Sequence, residues 1–183
     1  MNLTDRELWT LIHGMGFGAL FLLAFAGGFA GLYSLRPQFV TPDGITERVR
    51  RLRWGTILMA VCVWLTVIVG TYIVYPWYRA APPETIDRTV QSEELSQYPR
   101  YWLLASEETA EYHEFGMEWK EHVAWISPLL ATVVAYGIFK YGSELAASKR
   151  ARNIMIALFL LSFAVAGIAG VLGALITKAS PLT

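Results

Sequence analysis

The chain has 183 residues, of which 55% are hydrophobic and 16% are charged, and its formal net charge is zero. In soluble domains about a quarter of the residues are charged, so the composition predicts a single integral membrane domain over residues 1–183. The zero net charge gives no overall positive potential that would indicate nucleic-acid binding. Cys62 is the only cysteine, which excludes an intramolecular disulfide and a CxxCH site for covalently attached haem.

Four long uncharged runs predict four membrane-spanning helices, because about 20 apolar residues cross a hydrocarbon core of ~30 Å. The runs cover about residues 8–35, 54–78, 119–141 and 153–177. Thr4 and Glu7 match a capping box before the first run, and Pro128 is expected to kink the third or to free a carbonyl near its outer end. The sequence therefore predicts an all-α bundle of four transmembrane helices with a long outer loop, 79–118, between helices 2 and 3.

Charge is segregated between the two sides of this predicted bundle. The short connections 36–53 and 142–152 are rich in arginine and lysine, whereas loop 79–118 is acidic. The positive-inside rule places the basic connections in the cytoplasm, where residues 48–53, RVRRLR, would contact lipid headgroups. We therefore expect a multi-pass protein of the inner (cytoplasmic) membrane, with the acidic loop and both termini on the periplasmic side.

Two histidines lie at similar depths in different predicted spans. By helical rise, His13 is ~34 Å from Arg36 and His122 is ~27 Å from Lys140, which places both near the outer face. Imidazoles from two spans at matched depth are what a non-covalent b-type haem needs as axial ligands. The pattern predicts one haem b held by His13 and His122, with Gly16 on the His13 face leaving room for the ring.

Other interpretations of the histidines remain open. His113 is an alternative ligand, although its nine-residue separation from His122 puts the two about half a turn apart in phase. Glu118 and His122 stand at i, i+4 and could hold a metal ion. The imidazoles could also be packed between helices without any cofactor, as neutral hydrogen-bonded side chains.

The residues around the outer end of the second span indicate a possible quinone pocket. A quinone needs an apolar slot with a few polar donors. We expect Tyr72, Tyr75, Trp77 and Tyr78 to border such a slot beside His122, although the same four residues also fit the aromatic belt at the membrane interface. Tyr72, Tyr75 and Glu118 are the predicted proton or hydrogen-bond groups for the quinone.

Outer-leaflet histidines on four membrane helices resemble the b-haem, quinone-interacting anchor subunits of respiratory complexes. The resemblance rests on the architecture, His13 and His122, and on no further motif. It implies a non-autonomous subunit of a membrane oxidoreductase that passes electrons between quinone and an outer partner, such as a periplasmic cytochrome or an iron–sulfur protein. The alternative is a cofactor-free anchor subunit whose acidic outer loop binds a basic partner.

Overall fold

A computed structural model describes residues 3–39 and 41–180; the first two residues, Val40 and the last three lie outside the description. The described chain is helical and contains no strand. Four of its helices are long and apolar enough to cross a membrane, which confirms the predicted four-helix membrane architecture. They are α1 (Asp5–Tyr33), α2 (Asp43–Arg79), α4 (Glu107–Ala147) and α5 (Lys149–Ala179), and a short helix, α3 (Pro99–Leu104), lies in the connection between α2 and α4.

The four long helices form a ring in which each packs against two neighbours. Helix α1 contacts α2 and α5, and α4 contacts the same two helices from the opposite side. The core is apolar, with Phe21, Val134 and Phe159 at most 1% exposed. Large side chains such as Leu23, which is 78% exposed, cover the outside, as a lipid-facing surface requires.

Close contacts and reciprocal hydrogen bonds fix the helix pairs. A Cβ added at Gly28 in α1 would lie 2.8 Å from the Phe159 ring, so the glycine is what lets α1 approach α5. The hydroxyls of Ser127 and Ser162 each donate to the other residue's carbonyl at 2.9 Å, which joins α4 to α5 in the buried interior. Small residues and paired hydroxyls are the usual means by which membrane helices associate.

The end of the bundle that carries the connection before α2 and the α4–α5 turn is called the arginine end. Residues 36–53 are predicted as a loop, but α2 already begins at Asp43, so that prediction is wrong for 43–53. The Thr41 side chain accepts the Gly44 N–H and so caps the helix. Glu47 then pairs with Arg50 and Arg51 at 2.7 Å, so the basic run is compatible with a helix.

The opposite end is called the loop end, and residues 80–106, named the cap, fold over it. Leu95 and Leu103 are fully buried in the cap. Arg6 donates to the carbonyl of Gln97 at 3.2 Å, and the Trp102 indole donates to that of Ala179 at 3.2 Å. The described ends of α1 and α5 therefore lie beside the cap.

The cap is shorter than the predicted loop 79–118, because α4 already begins at Glu107. Ser106 has an extended backbone and precedes Glu107 and Glu108, whose acids suit the first turn of a helix. Regular helix is interrupted at Ala124–Trp125, just before Pro128. The Ala124 carbonyl, which the proline cannot bond, instead accepts the Ser127 N–H at 3.2 Å, so it is not free.

Three π-helical turns interrupt the long helices, all in the halves nearest the loop end. They are Ile12–Gly18 in α1, Gly70–Val74 in α2 and Tyr112–Met117 in α4. A π turn is less favourable than the α-helix it replaces and occurs often at functional sites. The three turns direct attention to the loop end, and two of them contain a histidine.

Candidate functional site at the loop end

His13 lies in the π turn of α1 and is held by α2. Its Nδ1 is 2.7 Å from the Thr66 carbonyl, and a carbonyl only accepts, so Nδ1 carries the proton. The ring lies directly against Gly70, where an added Cβ would be 2.6 Å from Cε1. In the neutral imidazole, Nε2 then carries the lone pair, which is how proteins orient a histidine that binds a metal.

Lys120 approaches the same region from α4. A Cβ added at Gly173 in α5 would lie 2.6 Å from its Nζ, so this glycine makes space for the amine. The Lys120 charge acts on His13, and within residues 3–39 and 41–180 no carboxylate lies within ion-pair distance of it. All four long helices thus contribute to one polar region, in a part of the bundle where ionisable groups are costly.

Two tyrosines of α2 form hydrogen bonds with α4. The hydroxyl of Tyr78 lies 2.8 Å from Nδ1 of His113, and both residues are 6% exposed. The hydroxyl of Tyr75 donates to Glu121. The rings of Tyr75 and Tyr78 stack with centroids 6.1 Å apart and planes 17° from parallel. The result is two adjacent phenol–base pairs that bridge α2 and α4.

The cap adds a positive charge to these pairs. Arg100 lies in α3, which packs against the loop-end parts of α2 and α4. Its Nε is buried and has no hydrogen-bond partner among the described residues. Glu118 lies one turn before His122 and in contact with it. Acids, bases and phenols are therefore concentrated at the junction of α2, α4 and the cap.

The two predicted haem ligands have different contacts in the structure. His122 is at the bundle surface, with its side chain 72% exposed, and its Nε2 lies 3.7 Å from Glu118, as the i, i+4 spacing predicts. His13 instead bonds α2 through Thr66. Gly16 leaves open space, since an added Cβ would meet only Ile12, at 3.8 Å.

The chemistry of His13 fits an axial haem ligand, because its orientation leaves Nε2 available. To supply the second ligand, His122 would have to leave its contact with Glu118. No group of three or more histidine, cysteine, aspartate or glutamate side chains in the described part of the chain is arranged to hold a metal ion.

The three predicted quinone residues do not share one set of contacts in the structure. Tyr72 is 70% exposed, while Tyr75 bonds Glu121 and not Glu118. Two participants, Lys120 and Glu121, are absent from the sequence-based prediction, which includes Tyr78 only as a residue that borders the quinone pocket. Two sequence features point to these side chains. The spacing of Tyr75 and Tyr78 puts both phenols on one face of a helix, and the charged run 118–122 stands at the start of an apolar span.

No family model, no curated protein and no solved structure matches this chain. Its function is therefore inferred from the side chains of the loop end.

Proposed function

We propose that the protein is a membrane subunit of an electron-transfer complex, and that it exchanges protons with a quinone at the loop end. The observation that carries the proposal is the pair of phenol–base contacts, Tyr75 with Glu121 and Tyr78 with His113. Intramembrane ionisable groups of this kind commonly mark proton relays or substrate sites. The π turns beside them agree with a functional rather than a purely structural role.

The two pairs match the stoichiometry of quinone chemistry. Oxidation of a quinol to a quinone releases two protons and two electrons, and reduction takes up the same numbers. Glu121 and His113 would each exchange one proton with the ring oxygens through the neighbouring tyrosine hydroxyl. The electrons would pass to or from a redox partner, for which a periplasmic cytochrome or an iron–sulfur protein remains our proposal.

His13 is the residue we propose to hold a haem b. Haem iron supplies one-electron chemistry when bound. The Thr66 carbonyl fixes the tautomer, so Nε2 would be the ligand atom, and Gly16 leaves room on the same helix. Pairing with His122 would require that residue to leave Glu118, and His113 would have to give up Tyr78 to act as the alternative ligand.

The charges support the proposed orientation in the inner membrane. The arginine end carries Arg48, Arg50, Arg51 and Arg53 in α2 and the basic start of α5, which favours the cytoplasm. The cap carries exposed acids, among them Glu84, Glu93 and Glu94. The cap and both chain ends would then face the periplasm, where an outer partner could dock.

The test uses the purified full-length protein in neutral detergent. Binding of a short-chain benzoquinol would be followed by quenching of tryptophan fluorescence. We expect Tyr75→Phe and Tyr78→Phe each to weaken binding about tenfold, since a hydrogen bond in a site is worth about 1.4 kcal/mol. Tyr136→Phe, on the lipid-facing side of α4 at 58% exposure, is the matched control. Unchanged binding in both loop-end variants would refute the quinone proposal.

The haem part has a separate readout. A reduced-minus-oxidised spectrum should show a b-type band that His13→Ala abolishes. A band that survives this change would remove His13 as a ligand, without affecting the quinone measurement.

A second candidate is a cofactor-free anchor subunit of a larger membrane complex. The observation that favours it is that His13 and His113 each already have a hydrogen-bond partner in the protein, while His122 is at the surface. This candidate predicts neither a b-type band nor saturable quinol binding. It also predicts tight co-purification with partner subunits, with the acidic cap binding a basic surface.

A further inference from the structure

A groove of about 610 Å³ opens between α4 and α5 at the loop end. Its floor is apolar and its rim is acidic. The floor consists of Phe115, Leu172, Leu175 and Ile176, and the rim consists of Glu108, Glu111 and Glu114. Gly116 also lines the groove, and a Cβ added there would be in ordinary van der Waals contact with Ile176, at 3.6 Å.

The groove lies at the edge of the predicted hydrocarbon layer. Leu172 is ~28 Å along α5 from Asn153, near the arginine end, and the hydrocarbon core is ~30 Å thick. Glu114 is ~39 Å along α4 from Lys140, so the rim carboxylates lie beyond the hydrocarbon, in the headgroup layer. The floor therefore meets lipid chains at the level where the rim meets lipid headgroups.

The rim carboxylates form no ion pair with any described residue. Glu108, Glu111 and Glu114 are exposed and follow one another at three-residue intervals, where like charges repel along a helix. Phe115, 65% exposed, lies beside them and offers an apolar contact. The groove thus presents negative charge above an apolar strip, which selects a molecule with a cation attached to a hydrocarbon chain.

We propose that this groove binds one phospholipid with a primary-amine headgroup, with its ammonium at the glutamate rim and an acyl chain on the apolar floor. A primary ammonium offers three N–H donors to carboxylates, whereas a quaternary ammonium offers none. An anionic headgroup would be repelled by the rim. A lipid fits better than a basic protein segment, because the floor lies at the depth of the acyl chains. This proposal does not depend on the quinone site.

The test compares three lipids with identical acyl chains on the full-length protein in neutral detergent: phosphatidylethanolamine, phosphatidylcholine and phosphatidylglycerol. Native mass spectrometry would count bound lipids and give their affinities. We expect one phosphatidylethanolamine to bind at least tenfold more tightly than the other two. Equal binding of all three lipids would overturn the proposal.

The variants separate the rim from the floor. Glu111→Gln with Glu114→Gln should abolish the preference for phosphatidylethanolamine, whereas Glu93→Gln with Glu94→Gln in the cap, the same change in charge, should leave it intact. Leu172→Trp keeps the rim but fills the floor, and should weaken binding of every lipid at this site. If the rim variant keeps the preference, the proposal fails. If a lysine- and leucine-rich amphipathic peptide displaces the lipid while the lipid preference is absent, the groove belongs to a protein partner instead.

Discussion

The arginine end and the loop end of the bundle hold their buried polar groups by different contacts. At the arginine end, buried Arg152 donates through Nη1 to the carbonyls of Leu35, Leu145 and Ala146 at 3.0–3.2 Å. Leu35 follows the end of α1, and Leu145 and Ala146 lie in the last turn of α4, where helices leave carbonyls unpaired. One guanidinium of α5 thus connects the ends of two other helices, although its Nε has no hydrogen-bond partner among the described residues.

At the loop end, several ionisable groups lack an ionic partner. Among the described residues, His13 has a hydrogen bond at Nδ1, Lys120 has no carboxylate within ion-pair distance, and the glutamates of the groove rim form no ion pair. The loop-end halves of the four long helices contain the π turns, whereas their arginine-end halves are regular α-helix apart from Tyr141. The difference teaches that departures from α-helical geometry are concentrated at the end of the bundle where the helices bring ionisable side chains together.

The largest expected effect is on stability, at the arginine end. Arg152→Leu would leave three buried carbonyls with fewer partners, and we expect a loss of about 3 kcal/mol in the free energy of unfolding. Arg150→Leu, two residues earlier in α5 at an exposed position, is the matched control. It should change the free energy of unfolding by less than about 0.5 kcal/mol. Thermal unfolding in detergent measures both. Equal effects of the two substitutions would show that the Arg152 hydrogen bonds do not stabilise the helix ends. Quinol binding should be unchanged in both variants.

The second largest expected effect is a loss of stability at the loop end, caused by a clash between helices. Gly70→Ala would place a methyl group 2.6 Å from the His13 ring and push it away from the Thr66 carbonyl. We expect a cost of about 1–3 kcal/mol. Gly55→Ala, also in α2, meets no atom within 4 Å and should stabilise by up to ~1 kcal/mol through helix propensity. Thermal unfolding gives the two signs, and ¹⁵N chemical shifts of His13 report the lost hydrogen bond. Two variants of the same sign would contradict the close contact.

A smaller effect concerns the buried phenol–base pair. Tyr78→Phe leaves buried His113 without its partner, at a cost of about 1–2 kcal/mol. Tyr72→Phe removes a hydroxyl that is 70% exposed and should be nearly neutral. Denaturant or thermal unfolding distinguishes them. If both changes are neutral, the Tyr78–His113 hydrogen bond does not contribute to the folded state.

The smallest effect is a pH dependence in the cap. The backbone N–H of Thr89 donates a hydrogen bond to the Asp87 carboxylate, and the Thr89 hydroxyl donates a second one with a smaller effect. Both lower the pKa of Asp87 below its ordinary value. Because the folded pKa is the lower one, this stabilisation is present above the unfolded pKa and is lost as pH falls through the folded pKa. Unfolding followed from about pH 5 downwards should show a shallower pH slope in Asp87→Asn than in the parent. Identical slopes would mean that the contact is absent in solution.

The sequence by itself determined the number of membrane helices and several local contacts. Uncharged runs of sufficient length specify spans, because hydrocarbon excludes charge regardless of what the helices pack against. The capping box of Thr4 and Glu7 is present, and Glu118 lies beside His122. Such contacts depend only on helical spacing of a few residues.

Only the tertiary structure decided which side chains meet at the loop end. Helical rise gives the depth of His13 and His122, but their direction around the helix axis depends on a regular 3.6-residue period. The π turns at Ile12–Gly18, Gly70–Val74 and Tyr112–Met117 break that period, so the helices are rotated relative to an α-helical projection. The contacts of His13 with Thr66 and of Tyr78 with His113 join residues 53 and 35 positions apart, so they depend on the packing of the bundle rather than on any single run of residues.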